Sequence, residues 1–135
     1  SQAHVRQQEG RARLAHILVV DDDPGMRQLA TDILRLNGHT TEVAENGEEG
    51  LTKARAHKPN LIITDVTMPK VDGIALLKLL RQDPETSNIP VIAMTGNIND
   101  SNIFAGTQPV FNGCLLKPFS PQDLIELINA SLRKK

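Results

Sequence analysis

Short apolar runs alternate with longer segments of helical period along most of this chain. Four runs of about five residues show no regular polar alternation, which is typical of strands covered on both faces. They are HILVV (16–20), NLIIT (60–64), PVIAM (90–94) and GCLLK (113–117). A fifth, weaker candidate is TTEV (40–43). The pattern favours a parallel sheet that lies between layers of helices.

Capping residues and apolar spacing predict where the helices begin and end. Their expected spans are 24–37, about 46–57, 75–82 and 120–132. Pro24 suits a first helical position, and Asp23 before it is expected to be an N-cap rather than a metal ligand. Asn46 suits the N-cap of the second helix, and Ser120 with Asp123 resembles a capping box at the last one. Asn37-Gly38 is expected to stop the first helix.

Strand and helix alternate five times in this reading. Right-handed crossovers then place helices on both faces of one parallel sheet. The sequence therefore predicts an α/β, doubly wound (βα)5 fold of the flavodoxin-like type, with five strands in the order 2-1-3-4-5. The helix between Thr95 and Asn112 is the poorest, because Gly106 and Pro109 interrupt it.

Length and charge narrow the class of protein. The chain has 135 residues, enough for one domain, and we expect a polar tail or linker over residues 1–14 and a single domain over 15–135. The formal net charge of -1 provides no global positive field, so direct nucleic acid binding is not expected. One cysteine, Cys114, fits a reducing cytoplasm, and no apolar run is long enough for a membrane span.

Acidic residues follow two of the predicted strands that are neighbours in the 2-1-3 order. The first strand ends in Asp21, Asp22 and Asp23, and the third ends in Asp65. Because ligands bind beyond the carboxyl ends of such strands, these carboxylates should share one crevice. Like charges so close together raise pKa values or require a counter-ion, and a hard cation such as Mg²⁺ suits oxygen ligands.

A hydroxyl and an ammonium are expected at the same edge of the sheet. Thr95 ends the fourth strand and Lys117 ends the fifth. A carboxylate can act as a nucleophile toward phosphorus, while Mg²⁺ and a lysine neutralise the charge of the transferring group. The residues therefore outline a phosphoryl site.

These motifs resemble those of one known family. ILVVDDDPGMR, LIITDVTMPKVDG, VIAMTG and LLKPFSPQDL, in this order, are similar to the receiver domain of two-component response regulators, which is CheY-like in fold, and the match extends from about Ala15 to Leu132. The resemblance implies that Asp65 is the phosphoacceptor and that Lys117 contacts the phosphoryl group. It also implies that Thr95 is the switch hydroxyl and that the Lys117-Pro118 bond is cis.

The resemblance further implies a magnesium site. Asp22 and Asp65 would bind Mg²⁺ together with the backbone carbonyl of Thr67, with help from Asp21. The phosphoryl donor would be a histidine kinase or a histidine phosphotransfer protein. Phosphorylation would change protein binding, and a phosphorylation-dependent homodimer is one expected form. The domain would not be an enzyme beyond self-catalysed transfer and autodephosphorylation.

Two other functions compete with this interpretation. One is a pseudo-receiver that binds a partner without phosphorylation. The other is a phosphatase, since DDDPG loosely resembles the Asp-x-Asp start of the haloacid dehalogenase group, but that reading leaves Asp65 unexplained.

The chain departs from the family at several positions. Cys114 stands where members commonly carry an aromatic residue, and Pro109 lies in the segment before the fifth strand. Thr67 and Asn97 occupy positions that influence hydrolysis of the acyl phosphate in the family. Asp72 and Gly73 are expected to form a turn.

Overall fold

A computed structural model describes residues 14–96 and 110–133 of the chain. Its five strands are parallel and form one sheet in the order β2-β1-β3-β4-β5. The strands are β1 (His16–Val20), β2 (Thr40–Ala44), β3 (Leu61–Asp65), β4 (Val91–Thr95) and β5 (Gly113–Leu116). The predicted fold class and strand order are therefore confirmed.

Four helices lie within the described residues. They are α1 (Pro24–Leu36), α2 (Gly47–His57), α3 (Gly73–Gln82) and α4 (Pro121–Arg133). The expected helix between the fourth and fifth strands, with Asn97 and Pro109, falls outside the described residues. In the part of the chain that is described, no helix is long and apolar enough to cross a membrane.

Side-chain caps explain where the helices begin. The Asp23 carboxylate accepts a hydrogen bond from the Gly25 N–H, and the Asn46 side chain accepts one from the Glu49 N–H, as predicted. At α4, Ser120 Oγ accepts from the Asp123 N–H at 3.0 Å. These caps satisfy backbone donors that have no partner inside the helix.

The start of α3 differs from the prediction. The helix begins at Gly73, two residues earlier than expected, because the Asp72 carboxylate accepts a hydrogen bond from the Ala75 N–H at 2.8 Å. Asp72 is thus a helix cap rather than only a turn residue.

The sheet is buried on both faces. On β1, Ile17 and Val19 belong to a core cluster with residues of α1 and α4, whereas Leu18 and Val20 belong to a cluster with residues of α2 and α3. All four side chains are fully buried. This two-sided burial is the reason why the strand sequences are apolar without alternation.

Gly73 lies against the backbone at the end of β3. A Cβ atom added to Gly73 would stand 2.3 Å from the Asp65 carbonyl oxygen and 3.0 Å from Val66 Cα. The Gly73 N–H also donates a hydrogen bond to the Val66 carbonyl at 2.9 Å. The loop after β3 therefore closes tightly onto the start of α3, with the backbone of Gly73 packed against that of Asp65 and Val66.

Gly73→Ala tests that close approach. Alanine is the better helix former, but its Cβ collides with backbone atoms, so we expect the substitution to lower the free energy of unfolding by about 1–3 kcal/mol. Gly25→Ala is the control, because its Cβ meets nothing closer than Asp23 Oδ1 at 3.4 Å. Urea denaturation measures both, and equal stability of the two variants would contradict the prediction.

His39 is a buried titratable group away from the acidic strand ends. The residue is 5% exposed, and its Nδ1 accepts a hydrogen bond from the Ala15 N–H at 3.1 Å. Burial lowers the pKa of His39 below its ordinary value. The folded protein therefore holds this ring neutral, because protonation of Nδ1 would remove the acceptor that binds Ala15.

The lowered pKa of His39 predicts a loss of stability in mild acid. Below about pH 6.5 the unfolded chain takes up a proton at this ring that the folded protein resists, so the contribution is complete above that pH and falls as the pH falls. We expect the free energy of unfolding of the wild type to decline more between pH 7.5 and pH 5.5 than that of His39→Gln. Urea titrations at both pH values measure this difference, and parallel declines would refute it.

Candidate functional site

Three carboxylates meet at the carboxyl edge of the sheet. Asp21 and Asp22 follow β1, and Asp65 ends β3, the strand that pairs with β1. One carboxylate oxygen of each residue lies within 4.8 Å of those of the other two. Asp21 is fully buried, Asp65 is partly buried and Asp22 is exposed. The predicted convergence of acids from two neighbouring strands is therefore present.

Asp21 is held by hydrogen bonds on every polar group. Its Oδ1 accepts from the Asp23 N–H at 2.9 Å and its Oδ2 accepts from Lys117 Nζ at 3.0 Å. Its N–H donates to the Ala44 carbonyl at 3.1 Å, and its own carbonyl accepts from Arg27 Nη1 at 2.7 Å. A buried charge is tolerated only with such partners. Asp21 is therefore a fixed part of the site.

Lys117 lies between two of the acids. Its Nζ is 3.0 Å from Asp21 Oδ2 and 3.4 Å from Asp65 Oδ1. Its backbone N–H donates to the Thr95 carbonyl at 2.8 Å, which fixes the chain just after β5. Burial by itself would lower the pKa of Lys117, but the hydrogen bonds and charges of Asp21 and Asp65 outweigh it and raise the pKa. The side chain is therefore an ammonium ion.

The surroundings of Asp65 disfavour the ionised form of its carboxyl group. Burial and then the charge of Asp21 raise its pKa, and the Lys117 ammonium opposes that effect only in part. Three acids beside one lysine leave an excess of two negative charges. One divalent cation would balance this excess, and an all-oxygen donor set suits Mg²⁺. The residues present therefore fit the predicted metal.

The two threonines lie at the same edge of the sheet. Thr95 is the last residue of β4 and is buried; the register pairs Asp65 with Met94, the residue before it. Thr67 is exposed in the loop that follows β3. The predicted cis bond between Lys117 and Pro118 is confirmed.

Cys114, on β5, belongs to a small apolar cluster. The cluster also contains Val66, Ala93, Ile74 and Phe111. Burial raises the pKa of the Cys114 thiol. Cys114 is thus a packing residue, and the aromatic ring in this cluster comes from Phe111, which sequence analysis did not single out.

Sequence analysis also missed the polar contacts of Arg27 and Glu42. Arg27 binds the Asp21 carbonyl, and its only sequence signal is a basic residue one turn into a helix that follows an acidic loop. On β2, Glu42 accepts hydrogen bonds from His16 Nε2 at the start of β1 at 2.7 Å and from His57 Nδ1 at the end of α2 at 2.9 Å. Although burial opposes it, these contacts lower the pKa of Glu42.

The chain is similar to known proteins in both sequence and structure. The pattern of the response regulator receiver domain matches residues 17–129. Protein PilH of Pseudomonas aeruginosa is 36% identical over 119 residues, which are 88% of this chain and 98% of PilH. The DNA-binding response regulator MtrA of Mycolicibacterium smegmatis is 33% identical over 118 residues, which are 87% of this chain and 50% of MtrA. This chain thus spans about half the length of MtrA.

Solved structures show the same fold. Chemotaxis protein CheY4 of Vibrio cholerae superposes with a TM-score of 0.83 at 30% identity, covering 89% of this chain and 100% of CheY4. A putative response regulator of Chloroflexus aurantiacus superposes with a TM-score of 0.83 at 33% identity, covering 90% of this chain and 99% of its own. The strand order, the acidic edge and these matches agree, and the chain belongs to the response regulator receiver domain family.

Proposed function

We propose that this domain is a phosphoacceptor switch that receives a phosphoryl group on Asp65. The observation that carries the proposal is the position of Lys117, whose ammonium lies between the buried Asp21 and the partly buried Asp65. The donor is the phosphohistidine of a histidine kinase or a histidine phosphotransfer protein, and the product changes protein binding. Action in the cytoplasm stays a prediction.

The proposed transfer uses Asp65 as a nucleophile. One carboxylate oxygen forms a bond to phosphorus while the bond from phosphorus to the donor's imidazole nitrogen breaks, and that nitrogen keeps the electron pair. Asp22, Asp65 and the Thr67 carbonyl are the proposed magnesium ligands, with Asp21 in support. Bound Mg²⁺ supplies positive charge at the transferring oxygens.

We propose that Lys117 and Thr95 respond to the phosphorylation of Asp65. Lys117 already contacts Asp65 at 3.4 Å, so its ammonium can reach oxygens attached to that carboxylate. Thr95 ends the neighbouring strand, and its carbonyl is bonded to the Lys117 N–H. Movement of either residue toward the phosphoryl group favours one conformation over another, which changes partner affinity by population shift. The domain acts on itself and is not proposed to turn over other substrates.

The acceptor assignment predicts a specific change in mass. Incubation with Mg²⁺ and acetyl phosphate should add one phosphoryl group to the wild type, because Asp65 is the proposed nucleophile, and EDTA should prevent the gain. Asp65→Asn should gain nothing under the same conditions. Intact-mass spectrometry measures each outcome.

Asp72→Asn is the matched control for that experiment. It removes an acid from the same loop, and asparagine caps a helix as well as aspartate does, so the gain in mass should remain. A magnesium-dependent gain in Asp65→Asn would contradict the assignment. If the wild type gains no phosphoryl group from acetyl phosphate and none from a phosphohistidine donor, the pseudo-receiver alternative is favoured.

Lys117→Met should separate metal binding from phosphoryl transfer. Loss of the ammonium removes positive charge from the transferring group, and we expect the rate of phosphorylation to fall by about 100-fold. Magnesium should bind at least as tightly as in the wild type, because a competing cation has gone. Rates from mass spectrometry and affinities from NMR titration test this, with the exposed Lys78→Met on α3 as the charge-matched control. Equal rates in the two variants would refute the role of Lys117.

A further inference from the structure

We infer that Arg27 is a positioning residue, which holds the loop between β1 and α1 in the orientation that Asp22 needs to bind Mg²⁺. The inference rests on the proposed function, since it concerns the same metal site. It assigns a role to a residue that is neither an acid of the cluster nor a group that touches the phosphoryl acceptor.

Arg27 is anchored mainly to the loop that carries the acids. It lies one turn into α1, and its side chain is 16% exposed. Nη1 donates a hydrogen bond of 2.7 Å to the Asp21 carbonyl. The other charged contact, Nη2 to Glu45 Oε1, is longer at 3.7 Å and involves a side chain that is 71% exposed. A long contact with so exposed a partner contributes little, so the Asp21 carbonyl is the main partner.

The bond to Asp21 controls the backbone of Asp22. The Asp21 carbonyl and the Asp22 N–H belong to one planar peptide unit, so a donor that fixes the carbonyl also fixes the plane from which Asp22 begins. Within residues 14–96 and 110–133, no hydrogen bond from another side chain holds the Asp22 carboxylate. The direction of that carboxylate therefore depends on its backbone, and Arg27 is the side chain that reaches this peptide.

An electrostatic role and a positioning role of Arg27 predict opposite changes in magnesium affinity when its side chain is removed. A guanidinium near an acidic cluster repels a cation, so a purely electrostatic role means that its loss would tighten magnesium binding. A positioning role means that its loss would weaken binding, because the Asp22 peptide is no longer held. The sign of the change in affinity therefore decides between the two roles.

Arg35 provides a matched control on the same helix. Its Nε donates a hydrogen bond of 2.9 Å to Thr41 Oγ1 on β2, an exposed contact that does not involve the acidic loop. Arg35→Met removes the same charge and the same kind of side chain as Arg27→Met. It differs in leaving the Asp21 carbonyl paired.

The experiment is an NMR titration of the whole chain with MgCl2. We expect the dissociation constant of Arg27→Met to rise by about tenfold, the lower end of the loss typical when a group that orients a metal ligand is removed. The amide resonance of Asp22 should already differ from the wild type before metal is added. Arg35→Met should show neither change. Urea denaturation verifies that each variant is folded.

Two results would overturn the inference: an Arg27→Met affinity equal to or tighter than that of the wild type, or an equal weakening in Arg35→Met. If Arg27→Met does not fold, Arg27→Lys, which keeps the charge but loses the planar donor fork, replaces it. An affinity of Arg27→Lys at the wild-type level would then overturn the inference, and a weaker one would support it. A wild type that binds no magnesium would instead refute the proposed function.

Discussion

The partly buried ion pair between Lys117 and Asp21 is the interaction on which the acidic edge of the sheet depends. It joins the loop after β1 to the loop after β5 across a sequence separation of 96 residues. Asp21 has no exposed surface, so removal of its charge from water must be offset by the ammonium and by the backbone donor of Asp23. The pair thereby holds the Lys117 ammonium beside the carboxylate of Asp65, 3.4 Å from its Oδ1.

The site remains electrostatically unbalanced even with this ion pair. Burial and the charge of Asp21 raise the pKa of Asp65, and the exposed Asp22 adds further negative charge. Such repulsion works against the folded state, yet it also makes a divalent cation favourable at this edge. Because the carboxylates repel one another without a cation, binding of a cation relieves that repulsion and can shift the population of conformations.

Local chemistry explains why so much of the fold could be predicted. The caps at Asp23, Asn46 and Ser120 mark helix starts because their side chains bond to backbone groups only two or three residues away. The start of α3 was predicted too late although the Asp72 cap is equally local, because the close approach of Gly73 to the Asp65 carbonyl is backbone packing that the residue pattern does not reveal. Glu42 binds both His16 and His57, and the three residues lie on three separate elements. Their spacing in the sequence therefore gives no sign of this contact.

The sequence by itself determined which chemical groups stand at the acidic edge. Parallel strands joined by right-handed crossovers bring all their carboxyl ends to one side, so Asp21, Asp22, Asp65, Thr95 and Lys117 had to lie near one another. Only the tertiary structure decided that Asp21 is the buried partner of Lys117 and that Asp22 is exposed. It also decided that Arg27 donates a hydrogen bond to the Asp21 carbonyl, in the peptide that joins Asp21 to Asp22. These choices depend on differences of a few ångströms between loops, and such distances arise from packing across the sheet rather than from the order of residues along the chain.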